Sequence, residues 1–130
     1  MMGNVSLLLP STFELDGLIG VALADYRNGE SLNLESRMGG GLEIAVAGDS
    51  ELIRTKLHWI YQLGLTGALE EILISLSNEY HLIRLVKKYE GLFLYLVLDR
   101  SQASLALARL KLLEIEDKLV FDMPAMAIRH

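Results

Sequence analysis

The side chains that could carry out chemistry are few in this 130-residue chain, and they are widely spaced. Its three histidines, His58, His81 and His130, have no spacing that would set two metal ligands side by side. Because the sequence has no cysteine, thiolate ligands and disulfide bonds are excluded. We therefore predict no metal and no cofactor, and we interpret His81 as a hydrogen-bonded residue of a strand.

A run of three glycines, Gly39–Gly41, precedes a predicted helix, and the free N–H groups at a helix start attract anions. The Lys-Ser/Thr pair of a nucleotide-binding loop is missing, because Leu42 and Glu43 stand in its place and the Glu43 carboxylate repels phosphate. The sequence also has no G-x-S-x-G turn for a nucleophilic serine. We therefore predict that the glycines form a connection and that the chain is not an enzyme.

The composition narrows the class of partner. A net charge of −5 and a pI near 5.1 argue against binding to nucleic acid or to an anionic membrane, because both need a basic surface. No apolar run is long enough to span a membrane and no basic segment precedes Leu7–Leu9, so we expect neither an anchor nor a secretory leader, and a cytoplasmic location. Apolar residues make up 52% of the chain, which favours contact with another protein, and we expect a homodimer.

Apolar periodicity and turn residues define the elements that would position a site. Leu18–Tyr26 is typical of a strand, and its small residues at alternate positions leave room for a closely packed helix. Asn28-Gly29 predicts a type I′ turn into a partner strand at Glu30–Glu35. Pro10 interrupts the N-terminal segment, where the capping-box pattern Ser11–Glu14 predicts one short turn.

A long helix is predicted at Glu43–Leu63, and a second one after the uncharged run Leu92–Leu98, starting from a cap at Asp99 or Ser101. The uncharged run itself predicts a strand that is buried on both faces. Short polar links favour an antiparallel meander of three strands, predicted at Glu70–Leu76, Tyr80–Val86 and Leu92–Leu98.

Together these elements predict an α/β (α+β) fold. It is a five-stranded antiparallel sheet, in the order hairpin, long helix, three-strand meander, long helix, with helices on both faces. The length suits one domain with its own core. We divide the chain into a short N-terminal segment at 1–17, a domain at 18–117 and a C-terminal tail at 118–130.

Two stretches resemble the roadblock/dynein light chain family. Asp16–Tyr26 followed by Asn28-Gly29 is similar to that family's opening strand and hairpin, and Asp99–Ser101 leading into Leu105–Arg109 is similar to its last strand-to-helix junction. The resemblance covers residues 13–117 and is greatest to single-domain members of prokaryotic type. It implies a roadblock/profilin-like homodimer, with sheets joined edge to edge and middle helices paired across the two-fold axis. It also implies a non-catalytic regulator or scaffold of a small Ras-like GTPase, or a light chain of a motor or signalling complex.

The middle helix supplies both candidate surfaces. Its apolar face and one sheet edge give the predicted dimer interface, which comprises Asp49, Leu52, Ile53, Lys56, Trp59, Ile60, Ile72 and Ile74. Its solvated stripe gives the predicted partner surface, which comprises Glu51, Arg54, Thr55, His58 and Gln62. Arg54 has three interpretations: an arginine finger for a GTPase, a plain partner contact, or an ion pair with Glu51 one turn away.

The same fold supports an alternative function. A small-ligand sensor of profilin- or PAS-like shape would hold an apolar effector between the sheet and a helix. A monomer stabilised by a small apolar molecule would favour this sensor, whereas a dimer would favour the scaffold.

Asp49 and Lys56 carry charges into the apolar face of the middle helix, where an unpaired charge is costly. In an antiparallel two-fold contact centred near Leu52-Ile53, Asp49 meets the partner's Lys56; the alternative is that both side chains reach water at the rim. If they pair, Asp49→Lys weakens dimerisation and the exchange with Lys56→Asp restores it, as measured by sedimentation. Equal dissociation constants for all variants would contradict the pairing.

Overall fold

The computed structural model describes residues 4–37 and 39–120, and it contains one five-stranded antiparallel sheet in the order β2-β1-β5-β4-β3. The strands are β1 Leu18–Asp25, β2 Glu30–Ser36, β3 Glu71–Ser75, β4 Glu79–Leu85 and β5 Leu92–Asp99. The helices are α1 Val5–Leu8, which continues into a 3₁₀ helix at Leu9–Glu14, α2 Gly41–Gln62 and α3 Leu105–Lys118. The predicted fold class is confirmed. No helix of the described ranges is long and apolar enough to cross a bilayer.

The central strand β5 is buried along Leu92–Leu98, as its uncharged sequence predicts, because helices lie on both sides of it. Alternate residues of β5 point to opposite sides, so Phe93 and Tyr95 pack towards α2 while Leu94 and Leu96 pack towards α3. On β1, a Cβ atom at Gly20 would lie 3.2 Å from a side-chain carbon of Leu42 in α2. This spacing confirms that the small residues of β1 admit a closely packed helix.

The N-terminal segment belongs to the layer on the α3 side. Val5 and Leu9 are fully buried there, and the Asn4 side chain donates to the Lys118 carbonyl at 2.7 Å and accepts from the Val120 amide at 2.8 Å. The predicted capping box is wrong, because the Ser11 hydroxyl donates back to the Leu8 carbonyl within the helical segment. The predicted tail beyond Val120 lies outside the described residues.

The β1–β2 turn differs from the prediction. Gly29 has a positive φ of 78°, but among the described residues positive φ values occur only at glycine, so Asn28 cannot form a type I′ turn. The Asp25 carboxylate instead accepts from the Arg27 amide at 2.9 Å and from its guanidinium at 2.8 and 3.0 Å. Burial raises the pKa of Asp25, but the Arg27 hydrogen bonds and charge outweigh it and hold the pKa below its usual value.

The final helix starts later than predicted. Ser104 caps it by accepting from the Leu107 amide, whereas Asp99 accepts from the amide and hydroxyl of Ser101 in the preceding turn. Two ion pairs then hold α3 against the sheet. Glu116 accepts from the Arg84 guanidinium at 2.9 Å and from the Lys87 amide at 2.6 Å, and Arg109 makes a two-pronged contact with Glu71.

Glu116→Gln removes a buried negative charge and leaves the partly buried Arg84 guanidinium without its counter-charge. We expect a loss of about 3 kcal/mol in the free energy of unfolding, measured by urea denaturation. The matched control is Glu114→Gln on the same helix, where the exposed carboxylate pairs with Lys111 and Lys118 and the expected loss is much smaller than for Glu116→Gln. Equal losses for the two variants would contradict the assignment.

Candidate functional site

Helix α2 presents an inward stripe to the sheet. Leu42, Val46, Ser50 and Ile53 are buried, and the Ser50 hydroxyl is satisfied by the Val46 carbonyl at 2.7 Å. These residues recur at helical spacing, so they form one face that packs over β1 and β2. Phe93 and Tyr95 of β5 complete this cluster. Side chains therefore fill the space directly beneath this stripe.

The opposite stripe of α2 carries the predicted partner surface. All of its residues are exposed: Glu51, Arg54, Thr55, His58 and Gln62. Arg54 donates to the main-chain carbonyl of Tyr26 in the β1–β2 turn, so its guanidinium is held against this turn. The His58 ring lies edge-on to Trp59, with ring centroids 5.3 Å apart. The predicted role of this stripe in partner binding stays a prediction.

Between these stripes, the flank of α2 that faces β4 and β3 is apolar and exposed. Leu52 is 40% exposed, Trp59 is 54% exposed and Leu63 is 68% exposed. The sheet beside this flank is incompletely covered, because α2 packs over β1 and β2. The side chains of Ile72, Ile74, His81 and Leu85 on β3 and β4 remain partly exposed. The result is an open apolar area that ends at the edge strand β3.

The structure distributes the predicted dimer residues unevenly. Ile53 is fully buried against its own sheet, so its assignment to the dimer interface is wrong. The error arose because Ile53 continues the inward stripe, where contacts within the chain occupy its whole surface. Lys56 is exposed and Ile60 is partly buried. The interface formed by Asp49, Leu52, Lys56, Trp59, Ile60, Ile72 and Ile74 stays a prediction.

A line of four polar side chains borders this open area. The Glu79 carboxylate lies 2.9 Å from Nε2 of His81, and Nδ1 of His81 lies 3.1 Å from the Tyr95 hydroxyl. The Asp49 carboxyl of α2 lies close enough to the Tyr95 hydroxyl for the two groups to shift each other's pKa. His81 is therefore a hydrogen-bonded residue of a strand, as predicted. Asp49 Oδ2 is the buried side-chain atom of the described residues that lacks a hydrogen-bond partner.

Burial is the main influence on the ionisation of Asp49 and Tyr95. It raises the pKa of Asp49, although the Tyr95 hydrogen bond and the charge of His81 oppose the shift. It also raises the pKa of Tyr95, which the negative charge of Asp49 raises further. Sequence reasoning missed Tyr95, although it is the single polar residue of the run Leu92–Leu98.

A shallow cavity of about 360 Å³ lies at one end of the sheet rather than under α2. Tyr26, Leu69, Leu85 and Leu92 line its apolar part, and the exposed ion pair of Glu70 with Lys87 lies at its rim. Within residues 4–37 and 39–120, acidic side chains and histidines form no group of three or more that could hold a metal ion.

Comparisons with known proteins place this arrangement among roadblock structures. No protein-family model and no curated protein sequence matches the chain. A roadblock/LC7 domain from Streptomyces avermitilis is 11% identical, covers 87% of this chain and 92% of its own, and superimposes with a TM-score of 0.75. The gliding protein MglB from Thermus thermophilus is 16% identical, with coverages of 86% and 82% and a TM-score of 0.71. MglC from Myxococcus xanthus is 16% identical, with coverages of 88% and 98% and a TM-score of 0.58.

These likenesses define the fold of the chain. The chain has the α+β fold of the roadblock family, as the resemblance in sequence implied. At such low identity the structural likeness establishes the fold alone.

Asp49→Asn removes the charge whose burial is unfavourable. Because the pKa of Asp49 is higher in the folded protein than in the unfolded chain, the folded state binds the extra proton, and wild-type stability falls as pH rises through the folded pKa. We expect the variant to be more stable than the wild type by about 1 kcal/mol at pH 7, and equally stable near pH 4 and below. The measurement is urea denaturation at matched protein concentration.

Glu51→Gln is the matched control, because Glu51 is exposed on the same helix. It should track the wild type at every pH. A constant difference between Asp49→Asn and the wild type from pH 4 to 8 would show that the charge of Asp49 is not the cause.

Proposed function

We propose that the chain is a non-catalytic homodimer that binds a small Ras-like GTPase as its regulator or scaffold. The observation that carries this proposal is the open apolar area beside α2. Five strands about 4.8 Å apart span roughly 20 Å or more, whereas a single helix is about 10 Å wide. One helix therefore cannot cover the whole face, and a second copy of α2 would cover the remainder.

The edge strand supports the same arrangement. Within residues 4–37 and 39–120, β3 pairs with β4 on one side only, so its other side presents N–H and C=O groups that no described strand pairs. Ile72 and Ile74 of β3 lie next to the open area. Pairing of two β3 strands across a two-fold axis would satisfy these groups and bring the two α2 helices together.

Side-chain size along α2 gives the register of such a contact. In an antiparallel pairing centred on Leu52, residues equally distant from Leu52 meet. Ala45 then lies opposite the partner's Trp59, and Gly48 lies opposite the partner's Lys56. The small N-terminal half of the flank would thus accommodate the large C-terminal half, which favours tight packing. The predicted pair of Asp49 with Lys56 requires a centre only half a residue further on.

The GTPase partner is proposed from the resemblance and from the outward stripe. In the dimer, two copies of Glu51, Thr55 and His58 would lie on one outer surface. Such a polar, exposed helical platform suits a protein partner better than a small substrate. Similarity to MglB, one form of which is described as a tetrameric arrangement, supports self-association of this fold. A cytoplasmic location accords with a GTPase partner.

Arg54 fits a structural or contact role in this proposal. Its guanidinium donates to the Tyr26 carbonyl, so it would have to leave this contact to reach a nucleotide. An arginine finger must contact the phosphate group that is being transferred. We therefore favour the plain partner contact over the finger.

Leu52→Glu tests the dimer. A charge on the centre of the open flank should leave the fold intact, because Leu52 is partly exposed, but it should raise the dimer dissociation constant at least about tenfold. Sedimentation at micromolar concentration should give the mass of two chains for the wild type and of one chain for the variant. Trp59 is the only tryptophan of the sequence. Its fluorescence should therefore shift to the red in Leu52→Glu, in which this flank of α2 is exposed to water.

Leu107→Glu, at an exposed leucine of α3, is the matched control and should remain dimeric. The same proteins are then titrated with the small Ras-like GTPases of the source organism, loaded with GDP or with a GTP analogue. Binding by the wild type and Leu107→Glu, but not by Leu52→Glu, is expected. A monomeric wild type would refute the dimer, and a dimer that binds none of these GTPases would refute the partner.

A further inference from the structure

The outward face of α3 is apolar, whereas surface helices usually turn polar side chains to solvent. The buried residues of this helix are Ala108, Leu112, Ile115 and Glu116. Helical periodicity therefore places Leu110 on the side directly away from the sheet. Leu107, Leu110 and Leu113 are each 46 to 61% exposed, and Ala106 beside them is exposed as well. These four residues form the α3 stripe.

Ion pairs border the α3 stripe on both sides. On one side Arg109 pairs with Glu71 of β3, and on the other side Lys111 pairs with Glu14 of the 3₁₀ helix. An apolar centre inside a polar rim is the usual anatomy of a protein contact surface. The stripe is a single row of side chains along one helix, so the occupant that fits it is another helix.

The charges at the two ends of the stripe indicate which helix fits. At the C-terminal end of the outward face, Glu114 and Asp117 are exposed and acidic. At the N-terminal end, the first turn of α3 has no acidic residue, and the small side chain of Ala106 leaves room beside it. A helix start carries a partial positive charge that attracts carboxylates. The two ends of this helix are therefore complementary to each other.

We infer that the α3 stripe binds the α3 stripe of a second copy, in an antiparallel two-fold contact centred on Leu110. Leu107 and Leu113 lie three residues on either side of Leu110, so the two-fold axis brings each to the level of the other in the second copy. Glu114 then lies at the level of the partner's Ala106, close to the start of that helix. A parallel contact would instead set the two acidic ends side by side.

This contact is separate from the proposed contact of α2. The two helices lie on opposite faces of the sheet, so either contact can form without the other. Three partly exposed leucines offer much less area than the about 800 Å² per partner of a standard interface, so the α3 contact is the weaker one. At high concentration it would join dimers into assemblies of four chains or more.

The test uses Leu52→Glu as its background, because this variant removes the proposed α2 contact. Sedimentation from micromolar to millimolar concentration should show a change from one chain to two. Adding Leu110→Glu should raise the dissociation constant of this pair at least about tenfold, since two carboxylates would meet at the axis. Leu110 is exposed, so the fold tolerates the change. Ile44→Glu, at an exposed apolar residue of α2, is the matched control and should leave the constant unchanged.

Asp117→Asn in the same background tests the direction of the two helices at low salt. In an antiparallel pair it removes two attractions to a helix start, so the dissociation constant should rise about threefold. In a parallel pair it would remove a repulsion, and the constant would fall.

Three results would overturn the inference: a Leu52→Glu variant that stays a single chain at millimolar concentration, pairing that survives Leu110→Glu, and pairing that tightens in Asp117→Asn. The first of these would mean that something other than a second copy occupies the α3 stripe. Because the background lacks the α2 contact, failure of the proposed dimer or of its GTPase partner does not alter any of these measurements.

Discussion

The width of the sheet is the constraint on which the rest of this structure depends. Five strands need more cover than one helix provides, and the two faces meet this need differently. On one face, α3 shares the task with α1 and the 3₁₀ helix, whose Val5 and Leu9 are fully buried. On the other face, α2 is the one helix of the described residues, and it packs over β1 and β2. The exposed flank around Leu52 and Trp59 and the half-covered β3 and β4 are consequences of this asymmetry.

The polar line lies at the boundary between the covered and the open part of that face. Asp49 and His81 sit where the helix ends its cover of the sheet, so they are neither fully solvated nor part of the apolar cluster. A charge in such a place is unfavourable unless its hydrogen bonds are complete. Tyr95 supplies a hydroxyl from the centre of the sheet, and this hydroxyl lies 3.1 Å from Nδ1 of His81 on β4. The same boundary therefore combines an open apolar area with a group of partly buried polar side chains.

The agreement between sequence and structure is best where one physical effect dominates. The run Leu92–Leu98 has no charge to solvate, so its burial in the centre of the sheet was predictable. The outward stripe from Glu51 to Gln62 follows from helical periodicity and is exposed as expected. Agreement fails where local interactions compete. The contact between Asp25 and Arg27 gives the β1–β2 turn a different conformation from the predicted one. Ser104, rather than Asp99, caps the start of α3.

The sequence by itself determined the five strands, the two long helices and the polar and apolar stripes of α2, because periodicity and turn residues act over neighbouring positions. Only the tertiary structure decided which apolar residues of α2 serve the chain's own core. Ile53 and Leu52 are adjacent and equally apolar, yet one is buried and the other is partly exposed, since the placement of α2 over β1 and β2 divides them. The tertiary structure also brought Asp49, His81 and Tyr95 together. Their positions in sequence are far apart, and hydrogen bonds between such residues arise only when the helix and the strands pack.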